Sequence, residues 1–168
     1  GASTITQQLV KNLFLTPDQT LKRKAQEARL AGDLERLLTK DEILDLYLNR
    51  IYLGAGAYGL DAAARTYFGK QPADLTLAES AMLASFPKAP TRFANQVQTS
   101  KAKERQHYVL LQMVEAGFIS QAQSDEAKNQ ELIFAKDTPD TFTGHALDYA
   151  VERVREVLPD PPADLVIK

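Results

Sequence analysis

The 168-residue chain contains no cysteine and only two histidines, His107 and His145. The lack of cysteine excludes disulfide frameworks, thiolate metal sites and cysteine nucleophiles. Two histidines are too few for a histidine-rich metal centre. The net charge of −2 argues against a general nucleic-acid-binding protein, because such domains are usually strongly basic. No hydrophobic run approaches the roughly 18 residues that a membrane-spanning helix needs.

Capping motifs divide the chain into predicted helices. Ser/Thr-x-x-Glu/Gln capping boxes begin at Thr4, Thr39, Thr76 and Ser120. Thr16-Pro17 is a further helix-start signal, and Gly69 and Gly117 are typical of helix ends. These signals predict helices over about 5–14, 18–38, 40–51, 60–68, 77–87, 97–116, 121–130 and 142–158. A glycine-rich bend is expected at 54–59, and residues 165–167 could begin a β-strand. The sequence therefore predicts an all-α fold.

The second predicted helix carries a carboxylate on its apolar side. At about 100° per residue, Glu27 falls on the same stripe as the leucines at positions 30, 34 and 38. A carboxylate beside a hydrophobic core needs charged or hydrogen-bonding partners. Arg23 and Lys24 lie one turn earlier, within reach of Glu27. The pattern fits two interpretations: an ordinary ion pair within a helix, or a carboxylate and two cations at the wall of a ligand cleft.

The first predicted helix has a polar side and a hydroxyl-rich start. Gln7, Gln8 and Lys11 lie close together on that side, and the residues at the start include Ser3, Thr4 and Thr6. Free N–H groups and the helix dipole favour an anion there. Hydroxyls, amides and one lysine suit a phosphate or a sugar, although a capped surface helix would show the same pattern. Residues 1–36 hold six Lys and Arg against four acids, which makes this third the better candidate for an anionic ligand.

Several segments together resemble the motifs of one known family. They are residues 1–12 (GASTITQQLVKN), 23–27 (RKAQE), 43–59 (ILDLYLNRIYLGAGAYG), 62–70 (AAARTYFGK) and 75–90 (LTLAESAMLASFPKAP). In this order they are similar to the second to fifth motifs of the peptidoglycan glycosyltransferases, glycosyltransferase family 51, with residues 62–70 extending the fourth motif. These enzymes form the N-terminal catalytic domain of class A penicillin-binding proteins. The sequence departs from the family at Gln19 and Gln26, where a basic residue is common, and at 93–95, where FAN replaces an aromatic-Asn-Pro sequence.

The resemblance implies an all-α, lysozyme-like, multi-helix glycosyltransferase domain over residues 1–135. That domain would be partial, because the family's first motif, which carries the Glu regarded as the general base, would lie upstream of Gly1. Residues 136–168 are expected to be a linker toward a transpeptidase domain. The chain also starts without methionine, so we expect a fragment that is inactive alone.

The resemblance further implies a reaction and a set of site residues. The family polymerises lipid II into glycan strands and releases undecaprenyl diphosphate, as part of cell wall biogenesis. Glu27 would be its second essential, catalytic carboxylate. Binding of the diphosphate and the adjoining sugar would fall to Ser3, Gln7 and Gln8, and charge compensation to Lys11, Arg23 and Lys24. The chain itself supplies no cofactor site, but the resemblance implies a divalent cation, Mg²⁺ or Mn²⁺.

The expected partners follow from the same resemblance. They are lipid II and the growing glycan strand, a membrane surface reached through the parent protein, and a transpeptidase domain in the same parent chain, with no nucleic acid. The expected location is the periplasmic or extracytoplasmic face of the bacterial cytoplasmic membrane. An alternative remains open: a non-catalytic helical module that binds lipid-linked sugars or a cell-wall partner.

Overall fold

The computed structural model describes residues 3–14, 21–94 and 97–135. These residues are mostly helical and form no strand, although Tyr52 and Tyr58 make an isolated antiparallel bridge. The α-helices are α1 (Ile5–Phe14), α2 (Leu21–Leu37), α3 (Lys40–Arg50), α4 (Leu60–Phe68), α5 (Leu77–Ser85), α6 (Pro90–Ala94), α7 (Ser100–Glu115) and α8 (Gln121–Asn129). Short 3-10 turns cover Pro72–Asp74 and Phe86–Lys88. The all-α prediction is confirmed. Within the described ranges, no helix is long and apolar enough to cross a membrane.

The predicted capping boxes are formed. Thr39, Thr76 and Ser120 each accept a hydrogen bond from the backbone N–H three residues later, and the side chain at that position bonds back to the cap. Thr4 and Gln7 make the same reciprocal pair at the start of α1. Each box satisfies N–H groups that a helix start leaves without partners. Four helix starts were therefore encoded locally.

Two differences from the predicted helices are larger than the shifts of one or two residues at other described helix ends. The helix predicted from residue 97 begins at Ser100, and Pro90 begins the short helix α6 instead of only ending the preceding one. Proline fits the first position of a helix, because its missing N–H would lack a partner there anyway. The predicted helix at 142–158, the start of the second helix at 18–20 and the possible strand at 165–167 lie outside the described residues.

The described residues divide into two compact units, one ending at Ile51 and the other beginning at Tyr52. In the first unit, α1 packs on α2 and α3. Its core combines apolar side chains from these three helices and from the α2–α3 connection. They are Leu9, Val10 and Leu13 of α1, Leu30, Ala31 and Leu34 of α2, Leu38 of the connection, and Ile43 and Leu46 of α3. The leucine stripe predicted for the second helix is thus buried, and it turns Glu27, one turn earlier, toward the same core.

The second unit packs α5 against α7, with α4 and α8 beside α5. Ala78, Ala81, Leu110 and Ala127 form a buried cluster in which small residues let the helices approach closely. The glycine-rich bend precedes α4, and Gly59 adopts φ 85° and ψ 162°, a conformation open essentially to glycine alone. The hydroxyl of buried Tyr67 donates to the Leu53 carbonyl at 2.9 Å, which ties α4 to the chain before the bend.

Glu79 is a buried charged residue of the second unit. Its side chain is 3% exposed, and it accepts hydrogen bonds from Lys70 Nζ at 2.7 Å and from the Thr76 backbone N–H at 2.8 Å. Burial alone would raise the pKa of Glu79, but these hydrogen bonds and the charge of Lys70 outweigh it and hold the pKa below its ordinary value. The same carboxylate thus caps α5 and fixes the segment after α4.

We expect Glu79→Gln to lower the free energy of unfolding by about 1–3 kcal/mol at pH 7, because a charged hydrogen-bond acceptor is lost. Because the folded-state pKa is depressed, this contribution is present above the ordinary carboxyl pKa of 4.5 and is lost as the pH falls through the folded value. The difference between wild type and variant should therefore shrink below pH 4.5. Denaturant titrations between pH 7 and pH 3 measure it. Exposed Glu104 on α7 supplies the control variant Glu104→Gln, for which a pH-dependent difference of the same size would contradict this account.

Candidate active site

Glu27 is buried between two cations on α2. Its side chain is 2% exposed, and Lys24 Nζ lies 2.7 Å from Oε2 while Arg23 Nε lies 3.2 Å from Oε1. The buried leucine stripe of α2 turns this position toward the first unit's core, as the sequence predicted. A buried carboxylate needs such charged partners, because desolvation of an isolated charge costs several kcal/mol.

The two cations differ in how far they reach solvent. The Arg23 side chain is 13% exposed, whereas that of Lys24 is 53% exposed. Arg23, Lys24 and Glu27 together carry one positive charge, and the half-exposed ammonium presents it at the surface. An ammonium has three N–H donors. Two of them have partners in the described structure, Ser3 Oγ at 3.2 Å and Glu27 Oε2 at 2.7 Å, and the third has no partner among the residues that the structure describes.

The start of α1 meets this part of α2. Lys24 Nζ donates to the Ser3 hydroxyl, and Gln8 Nε2 donates to the Ser3 carbonyl at 3.4 Å. The structure thus brings five of the sequence-predicted site residues into one chain of contacts, and we call these residues the Glu27 cluster: Ser3, Gln8, Arg23, Lys24 and Glu27. Hydroxyl, amide and ammonium donors converge there beside a helix start, which is an arrangement suited to an anion.

The remaining predicted polar residues of α1 are placed differently. The Gln7 side chain is engaged with the Thr4 backbone N–H in the capping box at the helix start, and Lys11 is exposed, with no ion-pair partner among the residues the structure describes. Thr6 was grouped with the hydroxyls at the anion-favouring start, but it is buried and donates to Glu35 at 2.7 Å. The Thr6 hydroxyl therefore joins α1 to α2, and that part of the expectation is wrong.

The structure adds Tyr47 of α3, which the sequence analysis did not single out. Tyr47 is buried, and its hydroxyl lies 3.4 Å from Gln8 Oε1. Burial raises the pKa of Tyr47, so the hydroxyl stays protonated. A signal was present in the sequence: Tyr47 shares the buried face of α3 with Ile43 and Leu46, and a buried tyrosine hydroxyl usually needs a polar partner.

Comparison with known proteins identifies the family. The family model described as Transglycosylase matches residues 1–114. The chain belongs to the transglycosylase family. It is 49% identical over 148 residues to penicillin-binding protein 1A of Aquifex aeolicus, which covers 88% of this chain and 20% of that protein. It is 52% identical over 132 residues to penicillin-binding protein 1A of Escherichia coli, which covers 79% of this chain and 16% of that protein.

A solved structure agrees with the family assignment. The crystal structure of penicillin-binding protein 1A from Haemophilus influenzae matches with a TM-score of 0.52 and 26% identity, over 96% of this chain and 21% of that chain. This transglycosylase chain thus spans about a fifth of the length of the relatives it matches. The resemblance derived from the sequence motifs is confirmed.

The described residues of this transglycosylase do not fit a divalent cation held by protein ligands alone. Among them, no group of three or more His, Asp or Glu side chains is placed to hold a metal ion. In the Glu27 cluster the carboxylate oxygens already face Arg23 and Lys24. Hard cations such as Mg²⁺ take several oxygen ligands.

The second unit of the transglycosylase chain contains a cavity that the sequence did not predict. Its volume is about 320 Å³, and its lining is Met82, Val97, Gln98, Lys103, Glu131, Leu132 and Phe134. None of the predicted site residues lines this cavity. The candidate active site of the described structure is therefore the Glu27 cluster.

Proposed function

We propose that the chain is part of a peptidoglycan glycosyltransferase domain that polymerises lipid II and releases undecaprenyl diphosphate. The observation that carries the proposal is the buried Glu27 carboxylate held between Arg23 and Lys24, beside the start of α1. Membership of the transglycosylase family supports it. In this reaction a sugar hydroxyl of the acceptor forms a bond to C1 of the donor, and the bond from C1 to the diphosphate oxygen breaks.

The proposed role of the cluster is to stabilise the leaving diphosphate. Negative charge grows on the diphosphate as its bond to C1 breaks, and fixed cations and N–H donors stabilise such charge most effectively when they need no reorganisation. Glu27 fixes the Lys24 ammonium and the Arg23 guanidinium in place, while the third N–H of Lys24 donates to a phosphate oxygen. The hydroxyl of Ser3 and the amides of Gln7 and Gln8 bind the diphosphate and the adjoining sugar, and Lys11 adds a further positive charge.

The proton of the acceptor sugar hydroxyl must be removed by a general base other than Glu27. Glu27 is buried, and both of its oxygens already face cationic partners, so it is not placed to take a proton from a sugar hydroxyl. We therefore propose that the general base is a carboxylate contributed from outside the described residues, upstream of the chain. Glu27 acts only in stabilising the leaving diphosphate and does not take the acceptor proton.

The proposal extends to the longer protein that carries these residues. We propose that residues 1–135 belong to the glycosyltransferase domain and that 136–168 link it to a transpeptidase domain. Its substrates would be lipid II and the growing glycan strand, at the extracytoplasmic face of the bacterial cytoplasmic membrane. The penicillin-binding protein names of the relatives support this arrangement.

A second function is favoured by one feature of the cluster. Its groups suit binding of a lipid-linked diphosphate sugar, while its buried carboxylate is paired with two cations. A chain with this cluster and no general base would bind the lipid-linked sugar without polymerising it. The alternative is thus a non-catalytic helical module that binds lipid-linked sugars or a cell-wall partner.

The experiment that separates the two functions is a lipid II polymerisation assay, with the products separated by gel electrophoresis. The full-length protein and the 168-residue chain are compared under the same conditions. Glycan strands from the full-length protein, and none from the chain, are expected. If the full-length protein is folded and binds lipid II but makes no strands, the binding function replaces the enzymatic one.

A further inference from the structure

A continuous series of polar contacts runs from Tyr47 to Glu27. The Tyr47 hydroxyl contacts Gln8 Oε1, Gln8 Nε2 contacts the Ser3 carbonyl, and the Ser3 hydroxyl contacts Lys24, which reaches Glu27. Tyr47 is 8% exposed and lies on α3, whereas the other members lie on α1, just before it, or on α2. The series therefore connects the buried face of α3 to the Glu27 cluster.

The chemistry of these contacts fixes the orientation of the Gln8 amide. A backbone carbonyl only accepts hydrogen bonds, so the end of the amide that faces the Ser3 carbonyl must be the NH₂ group. The carbonyl oxygen of Gln8 then faces Tyr47, and the tyrosine hydroxyl must donate. Burial raises the pKa of Tyr47, which keeps that proton on the hydroxyl.

We propose that Tyr47 is a positioning residue that holds the Gln8 amide with its NH₂ group toward the bound diphosphate sugar. This inference rests on the proposed function. One N–H of the amide donates to Ser3, and the other, which has no partner among the described residues, is the one assigned to the ligand. Without the hydroxyl of Tyr47, only the Ser3 carbonyl orients the amide, so the amide turns more freely and presents its second N–H to the ligand less often.

The test is a double-mutant cycle in the full-length protein with Tyr47→Phe and Gln8→Ala. Phenylalanine keeps the buried ring and removes only the hydroxyl. We expect Tyr47→Phe to lower kcat/KM for lipid II about five- to tenfold and to weaken inhibition by undecaprenyl diphosphate by a similar factor. The double variant should be no worse than Gln8→Ala alone, because the hydroxyl acts through Gln8.

Tyr67→Phe is the matched control. Tyr67 is as buried as Tyr47, and its hydroxyl donates a shorter hydrogen bond, 2.9 Å to the Leu53 carbonyl in the second unit. Thermal unfolding should show that Tyr67→Phe costs at least as much stability as Tyr47→Phe. Its kcat/KM should nevertheless equal that of the wild type.

The outcomes separate this inference from the proposed function. Wild-type polymerisation with unchanged kcat/KM in Tyr47→Phe overturns the positioning role and leaves the proposed function intact. Fully additive losses in the double variant, or equal losses in Tyr47→Phe and Tyr67→Phe, also overturn it, because they indicate a purely structural effect. If the folded wild-type protein makes no glycan strands, the proposed function itself fails, and the inference fails with it.

Discussion

Glu27→Gln in the full-length protein should abolish lipid II polymerisation, with turnover at least about 100-fold lower, the size of effect seen when one preorganised charge-stabilising group is removed. Gln is nearly isosteric with Glu and keeps one acceptor oxygen, but it lacks the negative charge that holds Arg23 and Lys24 in place. The half-exposed Lys24 ammonium can then turn to solvent, and the leaving diphosphate loses a fixed partner. Initial rates of glycan formation measure the loss.

The stability of Glu27→Gln should change little, by about 1 kcal/mol. Removing one partner of a fully buried ion pair costs more, about 3–5 kcal/mol, but the Lys24 side chain is 53% exposed and can be solvated. Glu35→Gln is the matched control, since Glu35 lies on the same helix and accepts the Thr6 hydroxyl. It should retain activity. Wild-type turnover in a folded Glu27→Gln protein would contradict a catalytic role and would mean that Glu27 only forms an ordinary ion pair within a helix.

Lys24→Met should lower kcat/KM for lipid II by about 10- to 100-fold, because the half-exposed ammonium is the charged donor that the cluster presents to a ligand oxygen. Met keeps the length and helix propensity of Lys, so α2 should remain formed. Lys24→Arg should restore part of the activity, since it keeps the charge with a different geometry. Steady-state kinetics of the full-length variants give these values.

Lys40→Met is the control for the change in net charge. Lys40 is exposed at the first position of α3, and its replacement removes the same single charge from the same unit. Activity within about twofold of wild type is expected, as for most surface substitutions. An equal loss in Lys40→Met and Lys24→Met would mean that overall charge matters and that the specific ammonium does not.

Much of the fold follows from local sequence signals. The capping boxes at Thr4, Thr39, Thr76 and Ser120 each begin a helix of the structure. These signals act within four residues, so no knowledge of tertiary packing is needed to interpret them. The burial of Glu27 could also be predicted, because the leucine stripe of α2 determines which residues one turn earlier face inward.

Other features depend on contacts between helices and could not be predicted from local patterns. Thr6 and Glu35 are 29 positions apart, and Tyr47 and Gln8 are 39 positions apart. Each contact depends on how α2 or α3 packs on α1, which helical periodicity does not specify. Pro90 was interpreted only as a helix stop, although proline is compatible with both the end and the first turn of a helix.

The most direct test of the account is the affinity of the full-length protein for undecaprenyl diphosphate compared with undecaprenyl monophosphate. If the Glu27 cluster holds the leaving diphosphate, the wild type should bind the diphosphate at least about tenfold more tightly, the effect of one added charge-assisted hydrogen bond. Lys24→Met should lose most of that preference, while Lys40→Met should keep it. Equal affinity of the wild type for the two lipids would contradict the central claim.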